Sequence, residues 1–435
     1  MSASDVMQLQ QPLERGGIRS VNFFNGRLLS SKDLMREQTA RRESDWRLGL
    51  ALGDGVAFGL EVEIDTTHNT DDAPVVKVAA GLAINRRGQS LRLVGGASVA
   101  LTRRFDAIGA SCLFTECQPI AGGTYVRGAG VYVLTIAPAE LTEGKAPTNG
   151  LDPANVRCNT DATVEAVQFR LIKVNQLRYA DLDPADPQYR NRLAYRFFGI
   201  EPREQSYADP WRDDPETYGL LDTLRGEGLS DHDVPLALVY WTSAGIQFID
   251  TWAVRRALLA PDGLAALSFV ARRRRLVEAH AMCAQFQAHL ADLLASAATP
   301  GTVAAATHFR WLPPFGMVPL QRPPLRGFFE PSFFSGIVRP PRPDSGQGTP
   351  FIDARRLGTL QEVALTATAT DLSRNEFVWV YRPWQNVKAN VDGQTVQPMV
   401  VFASGLLPNL AVARFDMARW EYGNYASAVV GPSLL

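Results

Sequence analysis

The chain has 435 residues, a formal net charge of −1, 20% charged residues and 46% hydrophobic residues. That length holds two or three domains with substantial cores. The balanced charge excludes a bulk electrostatic attraction to nucleic acid or to an anionic membrane surface.

The N-terminal 20 residues, with Gln8-Leu9-Gln10-Gln11-Pro12 and Gly16-Gly17, are too polar and glycine-rich to fold alone. Ile18, Val21, Phe23 and Phe24 then form a compact apolar cluster. Two readings fit it: an anchor that docks on another subunit, or a plug for the chain's own β domain. Asn25-Gly26 makes a tight corner, Ser30 is a good N-cap, and Asp33 three residues on completes an approximate capping box. The helix that follows runs to about Leu50 and ends on Gly53-Asp54-Gly55.

From about residue 55 to 260 the chain reads as β structure. Gly59 to Ile64 alternates apolar and polar residues, and Glu61 and Glu63 share one face, the wet one. Val75 to Ala79, Ser90 to Val94, Ala97 to Leu101, Val131 to Ile136, Thr163 to Val174 and Val234 to Trp241 are rich in residues that suit a pleated, partly buried surface. Three long polar interruptions separate them: Thr66 to Ala73, Glu140 to Asn159 and Leu182 to Asp233, the last broken by short helices near Arg190 to Phe198 and Thr217 to Arg225.

At Pro261 the character changes. From Gly263 to about Ala298 the composition is helical, and Leu276, Ala279, Cys283, Phe286, Leu290, Leu293 and Ala297 recur in steps of three and four. That stripe fits either the core of its own domain or a seam between copies around a threefold axis. Arg272 to Arg275 mark a solvated face. Ten of the 28 prolines then fall between Pro313 and Pro350, which bars sheet interior and helix. Trp311, Phe315, Phe328, Phe329, Phe333 and Phe334 lie among them, so residues 308 to 340 read as ordered irregular chain clamped onto a domain surface. Asp344 to Thr349 is the candidate mobile tip. Val363 to Thr370, Glu376 to Tyr381, Val396 to Phe402 and Leu410 to Arg414 suggest a small C-terminal β domain.

The expected organisation is therefore an N-terminal arm and helix (1–54), a β-sandwich-like domain with long insertions (55–260), a long helix (261–300), a proline-rich connector (301–350) and a C-terminal β domain (351–435). The fold class is mainly β with α.

Chemistry-bearing motifs are sparse. The sequence holds no phosphate loop, no Gly-x-Ser-x-Gly elbow and no His-Glu-x-x-His zinc helix. Asp231-His232-Asp233 places carboxylates beside an imidazole, but adjacent residues point in different directions and a loop explains all three. Cys112, Cys117 and Cys158 would need a fourth zinc ligand, such as His68, at no recognisable spacing, and His280 with Cys283 supplies only two ligands on one helix face. Four cysteines in so long a chain do not make a disulfide framework. No apolar run reaches the roughly 18–20 residues of a membrane helix. Met1-Ser2-Ala3-Ser4-Asp5 shows neither the basic start nor the apolar core of a secretory signal. The expectation is a chain made in the cytoplasm, not an enzyme, with no catalytic, cofactor-binding or metal residues.

Several segments carry a family resemblance: Asn22 to Leu34 (NFFNGRLLSSKDL), the following helix and Gly53 to Val62, then Ala146 to Gly150, Phe248 to Arg256 (FIDTWAVRR), and Phe309 to Pro314 (FRWLPP). Together these resemble a family of largely uncharacterised proteins associated with phage tail-like contractile injection systems. A weaker likeness, in length and in the opening helix with its following β domain, is to the trimeric type VI secretion baseplate protein. The resemblance implies a structural, baseplate-associated or peripheral component, assembled into a particle that is released or membrane-anchored. Its partners would be its own copies, as a homotrimer, and other baseplate or tail proteins, with no nucleic acid and no membrane insertion. The interface candidates are Ile18, Val21, Phe23, Phe24, Leu276, Cys283, Phe286, Leu290 and Leu293. The alternative is a carbohydrate-binding or carbohydrate-cleaving β protein using Trp211, Trp379, Trp384 and Trp420.

Overall fold

A computed structural model of the chain describes residues 17–26, 28–70, 74–101, 103–104, 124–125, 130–148, 157–201, 219–258, 273–337, 349–365, 367–374, 376–387, 390–391 and 393–404. The fold is mainly β with α, as expected. Helix α1 (Ser31–Leu52) begins on the foreseen capping box: Ser30 accepts from the Asp33 amide, and the Asp33 carboxylate accepts from the Ser30 amide at 3.1 Å. It stops at Gly53, whose φ of +98° a side chain would resist.

Six short strands follow: β1 (Gly55–Gly59), β2 (Val62–Ile64), β3 (Val75–Val78), β4 (Gly81–Ile84), β5 (Ser90–Leu93) and β6 (Ala97–Ala100). They form two three-stranded antiparallel sheets, ordered β1-β4-β5 and β2-β3-β6. The single strand expected over Gly59 to Ile64 is broken at Leu60, which takes a positive φ of +59° and crosses from one sheet to the other. After a small pair, β7 (Arg103–Arg104) with β8 (Thr124–Tyr125), come β9 (Gly130–Thr148) and β10 (Arg157–Lys173).

These two strands correct the expectation of a polar interruption over Glu140 to Asn159. They pair antiparallel from Tyr132↔Lys173 out to Thr148↔Arg157, so the interruption is the outer half of one long ribbon. The composition misleads because both faces of that outer half are wet, which removes the apolar alternation that marks a strand.

Helices α2 (Tyr189–Phe197) and α3 (Leu220–Thr223) lead to β11 (Val234–Thr242), β12 (Gly245–Asp250) and α4 (Thr251–Val254). The four-stranded sheet runs β10-β9-β11-β12. One face packs on the two small sheets through Val76, Val78, Leu91, Ile136, Leu236 and Val239, giving the sandwich. The other face carries Val131, Val133 and Leu238 against α2, α3 and α4. The stretch expected to be a polar interruption after Leu182 thus supplies a buried layer, with Leu193, Tyr195 and Phe197 fully enclosed.

Helix α5 (Arg273–Ser296) is central. Ala281 and Met282 join the core beneath the four-stranded sheet, while Phe286 and Leu290 join a second core with the C-terminal strands. The proline-rich segment is core rather than surface clamp: Phe309, Leu312, Val318, Phe328, Phe333 and Phe334 are buried there. It also holds regular structure, namely α6 (Ala305–His308), β13 (Trp311–Leu312), β14 (Phe315–Pro319) and α7 (Glu330–Phe333). Proline is accommodated because β14 is an edge strand and Pro331 stands in the first turn of α7.

The C-terminal strands are β15 (Phe351–Ile352), β16 (Thr370–Asp371), β17 (Trp379–Pro383), β18 (Asn390–Val391), β19 (Gln394–Thr395) and β20 (Met399–Ala403), with a sheet ordered β14-β20-β17-β15. Between β15 and β16 the chain forms α8 (Ala354–Ala364), where a strand was expected from Val363. Asp353 caps α8 by accepting from the Arg356 amide, and Leu360 and Ala364 are its buried face, a spacing of four. The expected strand at Leu410 to Arg414, and the tip at Asp344 to Gly348, lie outside the described residues.

Candidate functional site

Two of the segments that carry the family resemblance turn out to be structural joints. In Phe248 to Arg256, the Asp250 carboxylate is fully buried; it accepts from the Ala253 amide at 3.1 Å to start α4, from Arg190 Nε at 2.9 Å and from Gln285 Nε2 at 2.9 Å. One side chain therefore ties α2, α4 and α5 together. Arg255 reaches the other way, donating to the carbonyls of Leu60 at 3.0 Å and Gly59 at 2.6 Å, where the backbone has positive φ and its carbonyls face inward. In Phe309 to Pro314, Arg310 forms a fork onto Asp371, and the Trp311 indole donates to Glu201. Asn191 holds the same stretch by accepting from the Arg310 and Trp311 amides and donating to the Trp311 carbonyl. These buried polar networks position elements, and although most of their groups are paired, Gln285 Oε1 and Arg255 Nε are buried without a hydrogen-bond partner.

The surface that stands out is the opposite end of the chain. Of the 22 residues of α1, only Ala40 and Gly49 are buried. The helix rests on the body at Gly49, where its backbone meets the Asn85–Gly88 turn, and on the ribbon through Arg42 and Glu140 at 3.6 Å. The arm lies along α1, with Val21 buried and its amide donating to Glu37 at 3.3 Å. Several apolar side chains that follow are exposed. Phe23 and Phe24 are 54% and 63% exposed, and Leu28 is 93% exposed. The plug reading is thereby corrected: the two phenylalanines do not fill the β domain. Along α1 itself Leu34, Met35, Leu48, Leu50 and Leu52 are exposed too.

The ribbon projects beside this helix. β11 pairs with β9 only as far as Ile136, so the part of the ribbon from Ala137 to Thr148 extends about 35–40 Å past the sheet. A two-stranded hairpin is marginal by itself in water. Its outer half carries Glu140 directly opposite Glu165, and Leu141 opposite Val164, all exposed. Arg42 of α1 stands near the acidic pair and offsets it. Ala146, in the segment quoted for the resemblance, lies near the tip.

The helical stripe does not belong to this surface. Leu276, Phe286 and Leu290 are buried within the chain, Phe286 packing on Phe309 and Phe402 at ring-centre distances of 4.9 and 5.3 Å. Leu293 is half-buried against the same core, and Cys283 against α8 and its sheet, where burial pushes the thiol up to about 12. The proposed seam is corrected: its three-and-four spacing serves the chain's own core, and α5 is enclosed on more than that one side.

Among the described residues, the titratable groups singled out in the sequence turn to separate partners. His232 Nδ1 lies 2.9 Å from Gln89 Oε1, while Asp233 is buried against Arg170, Thr135 and Ser230, so the Asp231-His232-Asp233 residues turn to separate partners. Sequence reading missed a second grouping: Asp65 accepts from Ser98 Oγ at 2.6 Å and meets His68 Nδ1 at 2.9 Å. Those hydrogen bonds hold its carboxyl well below the usual range. Serine and imidazole both bind the carboxylate, whereas a nucleophilic triad needs the imidazole between them. His68 was conceivable as a zinc ligand, yet among the described residues no group of three or more His, Cys, Asp or Glu could hold a metal. Cys112 and Cys117, and the side chain of Cys158, lie outside the described residues.

A cleft of about 350 Å³ near the end of α1 is lined by Asp54, Arg86, Asp222, Arg225, Arg256 and Glu278 among others. Burial and the nearby Arg86 push Arg225 below its usual value. Charges of both signs line it without a preference for one. No helix of the described residues is long and apolar enough to cross a membrane. In comparison with known proteins, no family model matches the chain and no curated protein is similar to it.

Proposed function

We propose that this protein is a structural component of a phage tail-like contractile injection system, baseplate-associated or peripheral, held in its particle by the arm and α1. The observation that carries this reading is the exposure of Phe23, Phe24, Leu28 and the leucines of α1, the densest run of exposed large apolar side chains among the described residues. Clustered exposed apolar side chains of this kind mark a protein interface. Burying each phenylalanine contributes roughly 1.5–3 kcal/mol, enough to order a short arm. The family resemblance supplies the setting, and FIDTWAVRR and FRWLPP serve here as architectural joints. Three copies per assembly follow only from the likeness to the type VI baseplate protein, since the stripe on α5 is not open to neighbours.

The test is to isolate particles from cells carrying the tagged chain together with its sheath, tube and spike genes. The chain should co-purify with sheath and tube proteins, and a Phe23→Asp/Phe24→Asp variant should fold normally yet drop out of the particle. A chain that never accompanies sheath and tube, or a variant that enters at full occupancy, overturns the reading.

One observation favours the carbohydrate alternative. Trp384 is 69% exposed and stacks on exposed Phe351 at 4.5 Å with 25° between ring planes, the kind of flat aromatic surface on which sugar rings lie. Trp379 is half-buried, and Trp211 and Trp420 lie outside the described residues. Loss of glycan binding in Trp384→Ala would support that reading.

A further inference from the structure

Along α1, Leu34, Gln38, Arg41, Asp45, Leu48 and Leu52 recur in steps of four and three, and every one of them is exposed. This is the spacing of a helix-pairing seam, with leucine at both ends and a charged centre. The contacts of α1 with the rest of the chain use other positions: Ala40 and Gly49 are buried, Gly49 on the Gly88 turn, and exposed Arg42 reaches Glu140 of the ribbon.

We propose that this stripe pairs antiparallel with the same stripe of a second copy, across a two-fold axis near Glu43. The pattern is self-complementary in that register. Leu34 faces the partner copy's C-terminal leucine at the equivalent of position 52, Gln38 faces position 48, and Arg41 faces the acid at position 45, each contact occurring twice, as an isologous interface requires. A parallel in-register pair or triple would instead set arginine beside arginine and aspartate beside aspartate, which is unfavourable. The ends reinforce the choice. Phe23, Phe24, Leu28 and Leu29 stand at the N-terminal end of α1, and Leu50 and Leu52 at the other, so the antiparallel arrangement brings apolar clusters of the two copies together. Contact along about 33 Å of helix, with the arm residues added, reaches the order of the 800 Å² per partner that a specific interface needs. The inference uses the same surface as the assembly reading but concerns self-association alone.

The experiment is a mass measurement of the purified full chain at micromolar concentration. The wild type should be a dimer. Arg41→Asp and Asp45→Arg singly place like charges in contact and should weaken it tenfold or more, with circular dichroism and Tm unchanged because both sites are exposed. The double variant Arg41→Asp/Asp45→Arg restores every pair in the antiparallel register and should regain the dimer. A wild-type monomer, a mass of three copies only, single variants that associate like wild type, or a double variant without rescue would each overturn the proposal. None of those results bears on whether the chain accompanies sheath and tube, which the particle isolation decides separately.

Discussion

At Gly49 an added Cβ would stand 2.1 Å from the carbonyl oxygen of Gly88, and at Gly88, where φ is +77°, one would stand 2.0 Å from that of Trp46. Both neighbours are backbone, so neither can yield as a flexible side chain would. These two glycines let the backbone of α1 touch the body. Gly49→Ala should therefore lower stability by about 1–3 kcal/mol and free α1, with limited proteolysis cutting between residues 31 and 52 while the remainder stays intact. Uniform resistance to protease would show that α1 is held elsewhere. The histidines act through solvation. Burial holds His280, beside Trp252, and His308 below their usual range; it holds His289 well below, helped by Arg190 and His308, with Phe309 on its ring. Each is neutral in the folded chain near pH 7, and each takes up a proton more readily when unfolded. The unfolded state thus binds more protons as pH falls below about 6.5, and stability declines there. The depressed carboxyls of Asp65 and Asp371 push in the same direction at still lower pH. Tm should be level from pH 7 to 8 and fall steadily below about 6.5, less steeply in His289→Gln. A Tm independent of pH between 5 and 7 would contradict this assignment.

The stripe on α5 shows how one sequence pattern serves two arrangements. Steps of three and four define a face but not what covers it. Here Phe309, Phe402 and the proline-rich chain cover it, and the helix presents buried Gln285 and His289 on other sides. Leu290→Asp should consequently abolish folding, seen as insoluble protein or loss of the cooperative thermal transition. A folded but dissociated subunit would instead indicate an intermolecular seam. The ribbon of β9 and β10 teaches the converse. Its outer half lacks the alternation of a half-buried strand, because neither face is covered, and pairing between β9 and β10 keeps it extended. Helix α1 shares this trait: its start was plain from Ser30 and Asp33, since capping is local chemistry, yet its exposed stripe means something only once the helix is seen to stand clear of the body.

Across the whole molecule the described residues form linked cores rather than separable blocks. The sandwich, the layer beneath the four-stranded sheet and the C-terminal core share strands or helices: β9 and β11 divide their side chains between the first two, and α5 joins the second to the third. The proline-rich stretch is accordingly an inner part of the third core and not a spacer. Asp250 and Arg255 sit where these parts meet, which accounts for the conspicuous FIDTWAVRR segment without any reaction. Against that well-packed interior, the arm, α1 and the ribbon face outward with apolar or unsupported surface, as do scattered side chains such as Leu177 and the Phe351–Trp384 pair, and the assembly reading and the helix pairing rest on the arm and α1.

Composition and local pattern determined the fold class, the cap of α1, most strands of the sandwich and the position of α2 and α5, because propensity, capping and apolar spacing act over a few residues. Tertiary contacts decided the rest. Whether Leu290 meets its own core or a neighbour, whether Phe23 is plug or surface, and whether Glu140 lies in a loop or a ribbon depend on residues more than a hundred positions away or across a hairpin. Burial is a property of the three-dimensional arrangement, and periodicity alone carries no information about the partner.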